Sequence, residues 1–301
     1  MFRHRLTTNI VGASLALATA ITVSGCGSST PSSGASGAEP ASKTVNIGYI
    51  AWDENIANSY LWKELLEQQG YQVKLSQLEV ATLYSGVADG QLDVFMAATP
   101  KTHSDYWARF DKKFTVVGQW YDTLTQAVAV PDYTGLKSME DLKGKANEFN
   151  DQIVGIEPGS GLMRQLHDNA VKDYDLASYK IIDSSTPAML AALDKAVKAK
   201  KPIAVTLWQP HWAFSKYPMV LLEDPKGSFG GNDVYKTIAS KKFAESNTKV
   251  MDELKKFHMT PEQLQSLELK ISGAGQGKEQ EAVKAWIGEN QAVVKAWTGT
   301  N

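Results

Sequence analysis

The sequence predicts an α/β protein of two lobes, each a mainly parallel sheet flanked by helices. Three observations carry that reading. From Thr44 onward short apolar runs alternate with helical stretches, the pattern of strands joined by crossover helices. The alternation pauses at Pro131 and resumes at Ile153. The chain has 301 residues, more than one small core accommodates.

In order, residues 45–50 (VNIGYI) read as a buried strand. Asp53 can cap a helix running to about Gln69, stopped by Gly70, with Leu61, Leu65 and Leu66 on one face. Residues 71–75 form a second strand, 83–88 a helix ended by Gly90, and 92–96 a third strand. Residues 126–130 read as a strand leaving this lobe, closed by Pro131. A second run follows: strand 153–156, helix 162–171, strand 179–182, a helix capped by Thr186-Pro187 through about Lys198, and strand 202–207. After Phe229-Gly230-Gly231 the chain turns helical, with a capping box at Thr260-Pro261-Glu262-Gln263 and with Gly288 and Gly299 punctuating the last helices. The divisions expected are lobe I over 44–130, lobe II over 131–225, and a helical segment over 226–301 that packs back on lobe I.

The first residues read as an address. Arg3, His4 and Arg5 precede an uncharged apolar stretch over 11–23, shorter than the roughly 20 residues of a spanning helix but suited to a signal peptide. It ends in Val23-Ser24-Gly25-Cys26, which looks like a bacterial lipobox, and Cys26 is the only cysteine. Residues 1–25 are therefore read as a lipoprotein signal and Cys26 as the lipidation site, anchoring an extracytoplasmic protein to the cell membrane. Residues 26–43, rich in Ser, Gly and Pro, read as a flexible tether.

Composition excludes several classes. The 31 basic against 33 acidic residues argue against a nucleic-acid binder. One cysteine permits neither an internal disulfide nor a Cys-based zinc cluster. His103, His167, His211 and His258 show no metal-ligand spacing, and no catalytic or nucleotide motif appears. No metal, no cofactor and no enzymatic activity are expected.

The aromatic residues are more telling. Trp52 directly follows the first strand, and Trp208 directly follows residues 202–207. In open α/β sheets ligands bind beyond the carboxyl ends of strands, so both indoles are placed at the cleft. Trp62, Trp107, Trp212, Trp286 and Trp297 read as packing or surface residues. Residues 154–161 (VGIEPGSG) run from a strand through a Gly-rich turn into a helix, where free amides form an anion site. Two indoles and an anion site suit a solute with a quaternary cation at one end and a carboxylate at the other, since a π-face holds a cation that cannot donate a strong hydrogen bond.

These features resemble the glycine betaine/proline betaine-binding proteins of osmoprotectant ABC importers. The resemblance rests on residues 49–54, 88–93, 100–103, 155–161, 202–212 and 222–225, in order along nearly the whole domain. It implies a type II periplasmic-binding-protein-like fold with the solute in the cleft between the lobes. The implied partners are a permease and its ATPase subunits, the receptor itself being a monomer. It also implies that Trp52 and Trp208 wall the cation, and that the amides of Gly155 and Ile156, with the His103 side chain, receive the carboxylate. One position departs from the family: Ala98 stands where the family commonly has a third indole. Either Tyr84, Trp120 or Tyr121 closes that side, or the pocket takes a bulkier or less cationic solute such as proline betaine, carnitine or ectoine. An envelope hydrolase using His103 with Asp93 or Glu157 is the alternative from another class.

Overall fold

The computed structural model describes residues 43–299. The signal peptide over 1–25, Cys26 and nearly all of the tether lie outside the described residues.

The first lobe opens with β1 (Thr44–Tyr49), α1 (Asp53–Gln68), β2 (Gln72–Gln77), α2 (Val80–Ala88), β3 (Val94–Ala98) and α3 (Ser104–Phe110). Strands β1, β2 and β3 are parallel, as crossover helices require. Trp52 is the N-cap of α1, its carbonyl accepting the amides of Asn55 at 3.0 Å and Ile56 at 2.8 Å. Asp53, expected to be the cap, is instead the first helical residue. The reason is local: the Asn55 side chain accepts the Ile50 amide at 2.9 Å and sets the turn.

Strand β4 (Phe114–Pro131) is far longer than the sequence pattern indicates, and it belongs to both lobes. The second lobe follows with β5 (Gln152–Val154), then α4 (Gly161–Gln165), which continues through a π turn at Leu166–Ala170 into α5 (Val171–Asp173). Next come β6 (Lys180–Ile182), α6 (Thr186–Lys198), β7 (Ala204–Gln209), α7 (Ala213–Lys216) and β8 (Met219–Leu221). Ser185, not Thr186, caps α6. Strands β5, β6 and β7 are parallel.

The stretch after Gly231, expected to be helical, begins with a strand, β9 (Asp233–Ser240). It lies antiparallel between β3 and β4 in the first lobe. Only then do helices α8 (Lys241–Ser246), α9 (Thr248–Lys256), α10 (Pro261–Ala274), α11 (Glu279–Glu289) and α12 (Gln291–Thr298) follow. Helices α10 and α11 pack on α1, and α9 packs on β4. The capping box at Thr260 is present, whereas Gly288 sits inside α11 rather than ending it.

The strand order is β2-β1-β3-β9-β4-β7-β5-β6, with β8 on β4. Strand β4 pairs with β9 as far as Leu124 and with β7 from Thr125. A single strand thus hands the chain from one sheet to the other, the change of partner falling between Leu124 and Thr125.

Next to this handover Trp120 is fully buried, with Tyr235 stacked at 5.0 Å and Phe257 at 5.5 Å. Its indole is a core element. Trp120→Ala is expected to lower unfolding stability by about 3–5 kcal/mol, measured by chemical denaturation; a loss within about 0.5 kcal/mol, as at a surface site, would contradict that placement.

Candidate functional site

The carboxyl ends of β1 and β7 face each other across the seam between the lobes. Trp52 leaves the first and is 6% exposed; Trp208 sits near the end of the second and is 3% exposed. Each indole donates its Nε1–H to a carboxylate of the opposite lobe. Trp52 reaches Glu157 Oε2 at 3.0 Å, and Trp208 reaches Glu54 Oε2 at 3.1 Å. Trp212, expected only to pack, makes a third such bond, to Asp53 Oδ1 at 2.6 Å. His211 Nε2 meets the other oxygen of Asp53 at 3.1 Å.

His103 follows β3 and is 1% exposed. Its ring stacks on Trp52 with centroids 5.6 Å apart and planes 15° apart. Its Nδ1 faces the Thr99 hydroxyl at 2.7 Å and the Tyr84 hydroxyl at 3.3 Å. The Tyr84 oxygen already accepts the Thr99 amide and the Trp107 indole, each at 3.2 Å. Its proton therefore points at Nδ1, which leaves Nδ1 as acceptor and the hydrogen on Nε2. Nε2 itself is buried with no partner. Burial, and then the positive Arg164, lower the His103 pKa to about 3, so the ring is a neutral donor. The loop that carries it is pinned by Asp233, which accepts the amides of Lys101 at 3.0 Å and Thr102 at 2.7 Å.

The Gly-rich turn of the second lobe differs from expectation in one atom. The Gly155 amide donates to Ile182 O at 2.8 Å, extending the β5–β6 ladder, and so is not free for an anion. The Ile156 amide has no partner among the described residues. Gly155 is required for packing, because a Cβ there would meet Met163 Sδ at 2.4 Å. Glu157 is tightly held: Oε1 accepts the Thr186 amide and Oε2 the Thr186 hydroxyl, both at 2.9 Å. At Gly161 a Cβ would lie 1.9 Å from the Thr102 carbonyl, so glycine permits the lobes to approach this closely. Arg164 crosses the same seam to Asp105 at 2.7 Å and Thr102 O at 3.2 Å.

The three candidate substitute walls each have other neighbours. Trp120 has both faces covered, as described above. Tyr84 is stacked on Tyr106 at 5.1 Å and serves His103. Tyr121 lines a separate cavity of about 260 Å³ with Met259 and Pro261. Ala98 is fully buried at the end of β3, opposite Lys236. The hydrolase alternative lacks its dyad, since Asp93 accepts the Asn46 backbone and side chain while the ring nitrogens of His103 contact no carboxylate. Among the described residues no group of three or more His, Cys, Asp or Glu could hold a metal. An open cavity of about 810 Å³ lies on the seam beside Glu157, lined by Ile50, Ala51, Leu78 and Glu79 on one side and Pro158, Ser184 and Ser185 on the other.

Sequence reasoning passed over Glu54, Glu268 and Tyr235. Glu54 and Glu268 are both 1% exposed. Burial first, and Asp53 beside it, push the Glu54 pKa up to about 8, against the Tyr235 and Trp208 donors. Burial raises Glu268 well above the usual range, with Asp53 and Glu54 adding to it.

With this geometry in view, comparison with known proteins is decisive. Residues 43–289 match the substrate-binding domain of the ABC-type glycine betaine transport system. The chain belongs to this family. A glycine betaine/carnitine transport binding protein of Listeria monocytogenes, GbuC, is 35% identical over 156 residues, which is 51% of each chain, so the match spans about half of that relative. The lactococcal OpuAC structure, closed on glycine betaine, aligns with a TM-score of 0.78 at 33% identity, covering 85% of this chain and 99% of that one. The ProX structure from Borrelia burgdorferi aligns with a TM-score of 0.79 at 28% identity, covering 84% of this chain and 96% of that one. The fold is that of type II periplasmic binding proteins.

For this family member, His103 is expected to stay a neutral Nε2–H tautomer down to about pH 5, since its pKa lies well below the ordinary 6.5 of histidine. Nitrogen-15 NMR of the ring reads this directly. A midpoint near pH 6.5, the ordinary histidine value, would refute the assignment.

Proposed function

We propose that the chain is the extracytoplasmic solute receptor of an ABC importer and binds a betaine-like zwitterion. The observation that carries this reading is the set of two buried indoles from opposite lobes, Trp52 and Trp208, next to a buried, unpartnered His103 Nε2–H. The indoles hold the quaternary ammonium on their faces; the His103 N–H and the Ile156 amide receive the carboxylate. Family membership and the lactococcal structure closed on glycine betaine support it. Carnitine is the second solute named for the Listeria relative, and Ala98 in place of an indole favours such a bulkier solute, or ectoine.

Calorimetric titration against glycine betaine, proline betaine, carnitine and ectoine tests the reading; binding of none of them refutes it. Each face contributes about 2 kcal/mol when desolvated, so Trp52→Ala and Trp208→Ala should each weaken a quaternary solute by more than roughly tenfold. Unchanged affinity in both variants would make these indoles packing residues.

The anchor belongs to the same reading. Cys26 carries the acyl chains, residues 1–25 are removed, and the tether lets the receptor reach its permease and ATPase. Cys26→Ser is expected to move the protein from the membrane fraction to the soluble one, read by fractionation and intact-mass analysis. Retention in the membrane with no acyl mass in the parent protein would overturn the anchor.

A further inference from the structure

Four carboxylates lie at the closed seam, and two of them are fully compensated. Asp53 receives Trp212 Nε1 and His211 Nε2 and begins a helix. Glu157 receives three donors from Trp52 and Thr186. Glu54 differs. Its Oε2 takes the Trp208 indole at 3.1 Å, while its Oε1 is buried without a hydrogen bond of normal geometry, its own amide and the Tyr235 hydroxyl lying beyond that geometry.

The groups that face Glu54 do not supply the missing charge. They are Asp53 on α1, Glu268 on α10, the Tyr235 hydroxyl on β9 and the Trp208 indole on β7. His211 lies edge-on to Trp208 at 4.8 Å and is directed to Asp53. Among the described residues no lysine or arginine pairs with Glu54, although eleven other such pairs or histidine pairs exist. Glu268 also faces like charge and also has a buried Oε1 without a hydrogen-bond partner, but its donor is the Trp212 backbone amide rather than a cage indole.

We propose that Glu54 is the counter-charge for the solute's cationic pole, and that this carboxylate makes closure of the lobes depend on the solute. The inference rests on the receptor reading. An ionised carboxylate enclosed without a cation is costly, so the solute-free protein either protonates Glu54 or opens. A cation on the face of Trp208 sits next to the carboxylate that accepts the same indole's N–H. It removes that cost only when the lobes are closed, which is the differential stabilisation that a ligand needs to shift a conformational equilibrium.

The proton linkage has a definite sign. In the closed, solute-free form the Glu54 pKa is raised from 4.5 to about 8. That form is therefore most stable at low pH and loses stability as pH rises through this window. A bound cation lowers the pKa again, so binding to the closed, protonated form near pH 7 releases a proton.

The test is titration of the full chain with glycine betaine near pH 7, in phosphate and in Tris buffers. Wild type is expected to show a binding enthalpy that depends on the buffer's ionisation enthalpy. Glu54→Gln should bind at least about tenfold more weakly, with a buffer-independent enthalpy and a smaller solute-free radius by X-ray scattering. A buffer-independent wild-type enthalpy, with a solute-free scattering radius no larger than the solute-bound one, overturns the inference while leaving the receptor reading intact, and these measurements need no variant to fold. Wild-type affinity in Glu54→Gln also overturns it. Failure of wild type to bind any solute of the panel overturns the receptor reading, and the inference with it.

Discussion

Hydrogen bonds between an indole of one lobe and a carboxylate of the other define this structure. Trp52 with Glu157, Trp208 with Glu54 and Trp212 with Asp53 each span the seam. None survives separation of the lobes, because donor and acceptor sit on different lobes. They orient the ring faces as well as joining the lobes, since an indole held at its N–H edge keeps its π-surface in a fixed plane. In the open state both partners are hydrated, so each bond contributes only about 0.5–3 kcal/mol net, the upper end where the acceptor is charged. Closure is thus finely balanced, and a solute of modest size can decide it.

The rest of the architecture makes that balance possible. Strand β4 passes between the two sheets, and β9 returns the chain to the first, so two crossing segments tie the lobes at one end. Beside this handover, where the Thr102 hydroxyl donates to Gln126 of β4, the approach is limited by the backbone and methyl group of Thr102. Gly161 meets the Thr102 carbonyl there, and Arg164 bridges to Asp105. The loop bearing His103 lies between these features and is fastened by Asp233 from β9. A strand of the first lobe therefore fixes the position of the imidazole that stacks on Trp52.

Much of this was legible from local chemistry. Trp52 and Trp208 stand at strand ends, where the parallel α/β topology leaves side chains facing the seam. The capping box at Thr260 uses only neighbouring residues, and it forms as expected. What escaped depends on distant partners. Asp53 and Glu54 look in sequence like acids favouring a helix N-terminus, and nothing local says that Trp212 and Trp208 will claim them. Strand β9 follows a Gly-rich turn and is fixed by pairing with β3 and β4, whose paired residues all lie more than a hundred positions earlier in the chain. Trp120 reads equally well as a cleft or core residue until Tyr235 and Phe257 cover its faces. The Gly155 amide is lost to a strand partner, Ile182, that the turn motif does not contain.

Ala98 and Glu54 bear on one question from two sides. A ring attracts a cation through its quadrupole, at short range and largely without regard to the net charge of the solute. A buried carboxylate acts over a longer distance and responds to net charge and to the protons it can gain or lose. On the proposed reading, in which Ala98 replaces an indole and an uncompensated carboxylate adjoins a remaining one, part of the cation's recognition passes from the first kind of force to the second. The carboxylate cannot be enclosed alone without penalty, whereas a ring can. Replacing aromatic surface by charge therefore makes the empty closed state less stable, and selectivity for the cation and dependence of closure on the cation become consequences of the same side chain.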